Sequence, residues 1–195
     1  MKEIIFFSNN NSKKLEISKL LENIPIKILN LNDFDKIKSP KETGRTFEEN
    51  AKIKSIFGLK IFKRPCFADD SGICIDAMNN KPGINSKKFL ERNVNTFNVF
   101  NKIILFVNKA KNNKAFFQTS ICLSINSNTH FTFNGNIKGT IARDVRGRGG
   151  FGYDPIFIPD GYYKTFAEMT LQEKNFISHR SIAINKLKKH LEKLF

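Results

Sequence analysis

The first residues in this chain whose types suggest chemistry are the adjacent carboxylates Asp69 and Asp70, preceded by the apolar run Cys66-Phe67-Ala68 and followed by Ser71 and Gly72. Neighbours along a strand point to opposite faces, so at most one of the pair enters a given cleft and the other is left to hold the turn. An Asp-Asp-Ser-Gly sequence alone also makes an ordinary turn. Glu42, Glu48 and Glu49 flank a second helix start. Glu49 has a structural task there, as the partner of Thr46 in a capping box, whereas Glu42 has none. A hard cation such as Mg²⁺ takes oxygen ligands and uses one or two protein carboxylates, leaving its other positions to phosphate oxygens and water. Glu42 with Asp70 supplies that minimal set; the competing reading of Glu42 is an exposed loop charge.

Three further groups suit an anionic ligand. Ser8, Asn9, Asn10, Asn11 and Ser12 form a polar loop ahead of a helical pattern, where free backbone N–H groups and the helix dipole stabilise a phosphate. Lys13 falls in the first turn of that helix, where a cation opposes the dipole, and a bound phosphate would give it a reason to be there. Lys174, His179 and Arg180 flank the start of the last helix and can donate to a base or phosphate, or can simply form a solvated basic helix start. Between them, Gly149, Gly150 and Gly152 surround Phe151, so that backbone can approach a ligand closely beside an aromatic ring. The sequence has no GxxxxGK[ST] phosphate loop, no GxGxxG opening a helix after the first strand, no HExxH and no Cys/His cluster. Any phosphoryl chemistry in this chain would therefore use dispersed residues.

The elements that must position these residues read as a mixture of βα units and an antiparallel hairpin. Ile4 to Phe7 is a first strand, and Leu15, Leu20, Leu21 and Ile24 recur at helical spacing after the polar loop. Phe47, Ala51, Ile53, Ile56 and Phe57 give a second helix its apolar face. Cys66 to Ala68 and Ile73 to Ile75 read as two strand pieces around a tight polar bend. Phe97, Phe100, Ile104 and Val107 mark a third helix. Phe117, Thr119, Ile121, Leu123 and Ile125 lie on one side of a long strand that turns at Asn126 to Asn128 into a second one carrying Phe131 and Phe133. Ile184, Leu187, Leu191 and Leu194 stripe a closing helix preceded by Ser178 as its cap.

The 195 residues suffice for one domain, 1–195, with a proper core, and no apolar run reaches the roughly 18 residues of a membrane span. A cytoplasmic location is the simplest reading. Cys66, Cys74 and Cys122 form no CxxC pair, and the first two sit in apolar runs, so all three are expected as reduced structural thiols. Thirty-three basic against 18 acidic residues give a net charge of +15, which favours polyanionic partners; the same excess also fits lysines scattered by an AT-rich coding background.

Read in order, Ser8-Asn9-Asn10-Asn11-Ser12-Lys13, Glu42-Thr43-Gly44 with Thr46-Phe47-Glu48-Glu49-Asn50-Ala51, Ala68-Asp69-Asp70-Ser71-Gly72, Phe151-Gly152-Tyr153-Asp154-Pro155, Ala167-Glu168-Met169, Glu173-Lys174-Asn175 and Ser178-His179-Arg180 resemble the inosine triphosphate pyrophosphatase, or Ham1, family over nearly the whole chain. That resemblance implies an elongated α/β protein with a central mixed β-sheet flanked by helices, and two lobes with a nucleotide cleft between them. It implies a cytoplasmic homodimer, with no specific nucleic acid or membrane partner, that uses Mg²⁺ to hydrolyse ITP, dITP and XTP to the monophosphate and pyrophosphate. Carried onto this chain, Ser8, Asn9, Asn10, Asn11, Ser12 and Lys13 would hold the triphosphate. Glu42 and Asp70 would address the metal, with Asp70 also the general base. Ser71, Phe151, Gly152, Tyr153, Asp154, Lys174, His179 and Arg180 would surround the nucleotide. Where the family has Ser-Ala-Arg-Phe, this chain has Ser86-Lys87-Lys88-Phe89, and a lysine cannot reproduce a guanidinium fork. A Maf-like pyrophosphatase and a basic RNA-binding module are the competing readings; the first lacks a use for the Phe-Gly-Tyr-Asp and His-Arg blocks, and the second for Glu42 and Asp70.

Overall fold

In a computed structural model, which describes residues 2–35 and 37–194, strands and helices alternate along the first half of the chain. Strand β1 (Lys2–Phe6) leads into helix α1 (Asn11–Leu20) and strand β2 (Ile26–Asn30), and α2 (Phe47–Phe62) precedes β3 (Cys66–Ile75). After the short β4 (Lys81–Pro82) come α3 (Ser86–Glu91), α4 (Thr96–Lys109), β5 (Lys114–Ser124), β6 (His130–Ile141), β7 (Phe157–Pro159), α5 (Leu171–Ile177) and α6 (His179–Leu194). The strands form a mixed sheet in the order β2-β1-β3-β5-β6-β7, with β4 on β3. β1 is parallel to both β2 and β3, whereas β4 and β7 run antiparallel to β3 and β6. This is the α/β class expected from the sequence: helical crossovers build the parallel part, and a hairpin joins β5 to β6.

The chain divides into two compact units. The first holds the described residues through Asp70, together with Thr119–Gly135 and the residues from Arg180 on; the second holds Ser71–Gln118 and Asn136–His179. The first unit buries apolar side chains on both faces of β1 and β3, as strict alternation requires. Ile4, Phe6 and Phe67 pack with Ile17, Leu21, Ile121, Leu123, Ile184, Leu187 and Leu191, whereas Ile5, Phe7, Cys66 and Ala68 join Leu31 in a second cluster. The second unit packs α4 through Val99, Phe100, Ile103, Ile104 and Val107 against Ile73, Phe117, Phe157 and Phe166.

Several elements differ from the sequence reading. β3 is one continuous strand through Asp69 to Gly72 rather than two pieces around a bend, because its neighbours on the sheet keep its backbone extended there. Leu15 is exposed, and the buried face of α1 is made of Glu16 and Ile17. The buried stripe of α2 is Phe47, Asn50, Ala51, Ser55 and Gly58, while Ile53, Ile56 and Phe57 are only half-buried. Gly58 explains why small residues face inward: a Cβ there would meet the Cys66 thiol and lie 2.6 Å from the Phe7 ring, so the helix comes this close to the sheet only without one. Phe97 remains 56% exposed in the first turn of α4, and Val99 and Ile103 complete the stripe instead. Both faces of β5 are buried from Thr119 to Ser124, so the polar side that carries Ser120 and Ser124 is also closed to solvent. The expected Thr46–Glu49 capping box is shifted: Thr46 Oγ1 accepts from the Glu49 N–H at 3.1 Å, but the Glu49 carboxylate accepts from the N–H of Arg45. Ile184, Leu187 and Leu191 are fully buried as expected, and the side chain of Leu194 lies outside the described residues. Cys66, Cys74 and Cys122 are free, buried thiols, with burial pushing Cys74 up to about 11 and Cys66 higher still.

Candidate active site

In the first unit, β1 delivers the chain to a polar loop whose side chains first organise the loop itself. Asn10 N-caps α1, its Oδ1 accepting from the Lys13 N–H at 3.0 Å, and its own N–H donates to Ser8 Oγ at 3.2 Å. Asn32 donates to the Asn9 carbonyl and, at 2.6 Å, to Asn11 Oδ1. Asn9, Asn11 and Ser12 are exposed, and Ser8 and Asn10 half-buried. The cap aims the first turn of α1 so that Lys13 Nζ reaches Asp69 Oδ2 at 2.8 Å.

Because β3 runs straight through both aspartates, they serve opposite faces. Asp69 faces α1 and α6, where Arg180 Nε lies 3.7 Å from the same Oδ2 and Arg180 Nη1 donates to Glu16 Oε2 at 2.5 Å. Arg180 is 2% exposed, so the chain Lys13, Asp69, Arg180, Glu16 alternates charge inside the protein. Burial raises the Asp69 carboxyl, but Lys13, Arg180 and Lys54 outweigh that and hold it well below the usual carboxylate range. Burial in turn draws Lys13 below its ordinary value despite the Asp69 charge.

Asp70 faces α2. Its Oδ2 accepts from Asn50 Nδ2 at 3.2 Å and its Oδ1 from Lys54 Nζ at 3.1 Å, while Lys54 Nζ also lies 2.8 Å from Glu42 Oε1. The Gly44 N–H donates to Asn50 Oδ1 at 2.9 Å, which ties the loop bearing Glu42 to the helix that bears Asn50 and Lys54. Glu42 is thus not a free loop charge: the fold brings it to Asp70. Burial pushes the Asp70 carboxyl up, the Lys54 ammonium pulls it down, and the Glu42 carboxylate raises it again; the net direction is upward. A carboxylate held above its ordinary value is a better proton acceptor, and two oxygens converging on one cation are the donor set that a hard divalent metal takes. Asn50 and Lys54 escaped the sequence reading, as did Glu16. The available signal was helical spacing: Lys54 is four residues beyond Asn50, and Glu16 three beyond Lys13.

The second unit gathers the rest. Gly150 has φ +70°, and a Cβ there would press on the Asp154 carboxylate. This tight loop lets the Phe151 N–H donate to Asp154 Oδ2 at 2.8 Å. Lys174 Nζ, also buried, donates to the same oxygen at 2.6 Å and stands 4.7 Å above the centroid of the half-buried Phe151 ring. Gly152 is exposed. Tyr153 is buried, with its hydroxyl donated to the Ser86 carbonyl at 3.0 Å. His179 stacks on Phe117 at 4.7 Å with the rings nearly parallel. Ser71 is half-buried beside the Asp70 boundary. Lys88, where a guanidinium was expected from the resemblance, is exposed on α3. The structure therefore groups Lys13 and Arg180 around Asp69, Glu42 and Lys54 around Asp70, and Phe151 and Lys174 around one oxygen of Asp154.

Set beside known proteins, residues 4–190 match the model of the Ham1 family. The chain belongs to the Ham1 family. Among its Ham1 relatives, a protein of Flavobacterium psychrophilum named dITP/XTP pyrophosphatase is 40% identical over 185 residues, covering 95% of this chain and 96% of the relative. A protein of the same name from Porphyromonas gingivalis is 38% identical, covering 98% of each chain. The solved structure of a HAM1 protein from Coxiella burnetii superposes with a TM-score of 0.89 at 38% identity, over 99% of this chain and 100% of that one. The Ham1 protein of Staphylococcus aureus gives 0.87 at 33% identity, with both chains fully covered. These Ham1 neighbours share the mixed sheet flanked by helices described above.

Proposed function

We propose that this chain hydrolyses non-standard purine nucleoside triphosphates, ITP, dITP and XTP, to the monophosphate and pyrophosphate, removing them from the nucleotide pool. The observation that carries the reading is Asp70, held by Asn50 and Lys54 opposite Glu42 and shifted upward from its ordinary value by burial, in a Ham1 chain whose relatives are named dITP/XTP pyrophosphatases. Glu42 and Asp70 would hold Mg²⁺, because their oxygens already converge on a single cation, Lys54 Nζ. Bound there, the metal neutralises developing phosphate charge and makes water more acidic.

Asp70 orients the attacking water and accepts its proton as the linkage between the α- and β-phosphates breaks and pyrophosphate departs. Ser8, Asn9, Asn10, Asn11, Ser12 and the N-terminal turn of α1 supply donors for the phosphates, and Lys13 supplies charge. Arg180 acts through Asp69, which fixes the Lys13 ammonium. Phe151 and Gly152 are the accessible members of the base-binding set, and Ser71 completes it. Lys174, held over Phe151, donates toward a 6-oxo group, which adenine's amino group would meet as donor against donor. Tyr153, Asp154 and His179 support that set from the core. Residues 1–195 act as one catalytic domain, and the enzyme is a cytoplasmic homodimer without a nucleic-acid or membrane partner. No helix among the described residues is long and apolar enough to cross a membrane.

The test is pyrophosphate release from ITP, XTP, dITP, GTP, ATP and dTTP, each with Mg²⁺ and with EDTA, using the full chain and Asp70→Asn. Metal-dependent release selective for ITP, dITP and XTP, lost by about 10²–10⁴-fold in Asp70→Asn, is the expected result. Selectivity for dTTP, no release at all, or full activity in Asp70→Asn would each overturn the reading. Sedimentation across a range of chain concentrations checks the dimer.

A further inference from the structure

We propose that Lys54 is an internal counter-ion that occupies the cation position between Glu42 and Asp70, so that a divalent metal binds this chain only by displacing the Lys54 ammonium. The inference rests on the assignment of Glu42 and Asp70 as metal ligands made above.

Lysines on helix surfaces ordinarily lay their stem along the protein and leave the head in water. Lys54 instead turns its head inward: the side chain is 12% exposed, and Nζ makes contacts of 2.8 Å to Glu42 Oε1 and 3.1 Å to Asp70 Oδ1. Burial of an ammonium is unfavourable by itself, so what holds it there is the attraction of the two carboxylates. Asn50, one turn earlier on α2, already donates to the other oxygen of Asp70. The ammonium thus sits on one oxygen of each carboxylate, in the position from which a single cation reaches both. Mg²⁺ needs such oxygens at about 2.0–2.1 Å. An ammonium and a divalent ion that share the same two oxygens repel each other strongly over a few ångströms in a partly buried setting. The two cations are alternatives. Lys54 stabilises the metal-free arrangement of Glu42 and Asp70 and, by the same contacts, lowers their affinity for metal.

The measurement is Mn²⁺ binding to the full chain, read from the electron paramagnetic resonance of free Mn²⁺, for the wild type, Lys54→Met and Lys54→Met combined with Glu42→Gln. Thermal unfolding is followed in parallel in EDTA and in Mn²⁺. Lys54→Met should bind Mn²⁺ about tenfold more tightly or better, and adding Glu42→Gln should abolish the gain. Lys54→Met should also unfold at lower temperature than the wild type in EDTA and recover most of the difference in Mn²⁺, a rescue that loss of packing alone would not give. If Lys54→Met does not fold, Lys54→Gln, which keeps a polar head without the charge, is read in the same way. Equal or weaker Mn²⁺ binding in the variant, with clear binding in the wild type, overturns the counter-ion while leaving the metal ligands in place. Absence of Mn²⁺ binding in every form, or binding that ignores Glu42→Gln, defeats the metal assignment and this inference with it.

Discussion

Replacing Asp69 by Asn should destabilise the fold far more than the same change one residue later. The amide is nearly isosteric with the carboxylate, so no cavity opens and the loss reports charge. Asp69 is essentially buried, with Lys13 Nζ at 2.8 Å and Arg180 Nε at 3.7 Å, and Arg180 is shared with Glu16. Asn at this position removes the negative charge that both cations share. Breaking a buried pair from one side costs about 3–5 kcal/mol. Lys13, whose side chain is 17% exposed, can turn partly to water, which puts the expectation near the lower end, about 3 kcal/mol. Asp70→Asn should change stability by about 1 kcal/mol or less, because burial already disfavours its ionised form. Urea unfolding followed by circular dichroism at neutral pH measures both. The pH dependence adds a second reading. The folded carboxyl of Asp69 lies below its unfolded value of 3.8, so its contribution is complete above that value and is lost as pH falls toward the folded one. Wild type should therefore lose up to about 1.4 kcal/mol per pH unit from this group below pH ~4, and Asp69→Asn should lack that component. An Asp69→Asn chain within about 1 kcal/mol of wild type, or one with an unchanged acid slope, would refute the reasoning.

Lys13→Ala should raise KM for ITP about tenfold or more with a smaller effect on kcat if Lys13 has the phosphate-binding role proposed for it; steady-state kinetics with Mg²⁺ decide this. Asp154→Ala should cost about 3–5 kcal/mol by leaving the Lys174 ammonium buried without this carboxylate. Adding Lys174→Met should restore a large part of that, and a double mutant no more stable than Asp154→Ala in denaturant would contradict the pairing. Gly150→Ala should cost about 1–2 kcal/mol through its left-handed φ and the crowding of Asp154, measured as a lowered urea midpoint.

Local pattern alone placed much of this protein. The apolar run Ile4 to Phe7, the polar loop and cap before Lys13, Thr46 ahead of α2, and the apolar stripe of α6 are short-range signals, and the expected elements formed there. The opposite facing of Asp69 and Asp70 followed from strand geometry once both lay in extended chain. Tertiary structure decided the partners. That Asp69 closes an ion chain with Lys13, Arg180 and Glu16, whereas Asp70 meets Asn50, Lys54 and Glu42, depends on pairings between β3 and three helices far apart in sequence. The same holds for Glu16, buried on α1 where Arg180 comes to it from α6, and for the inward turn of Lys54. Residue type argues for exposure of a lone charge, and only a specific partner at contact distance reverses that argument. Composition and spacing carry no record of such a partner until the sheet order and helix packing bring it there.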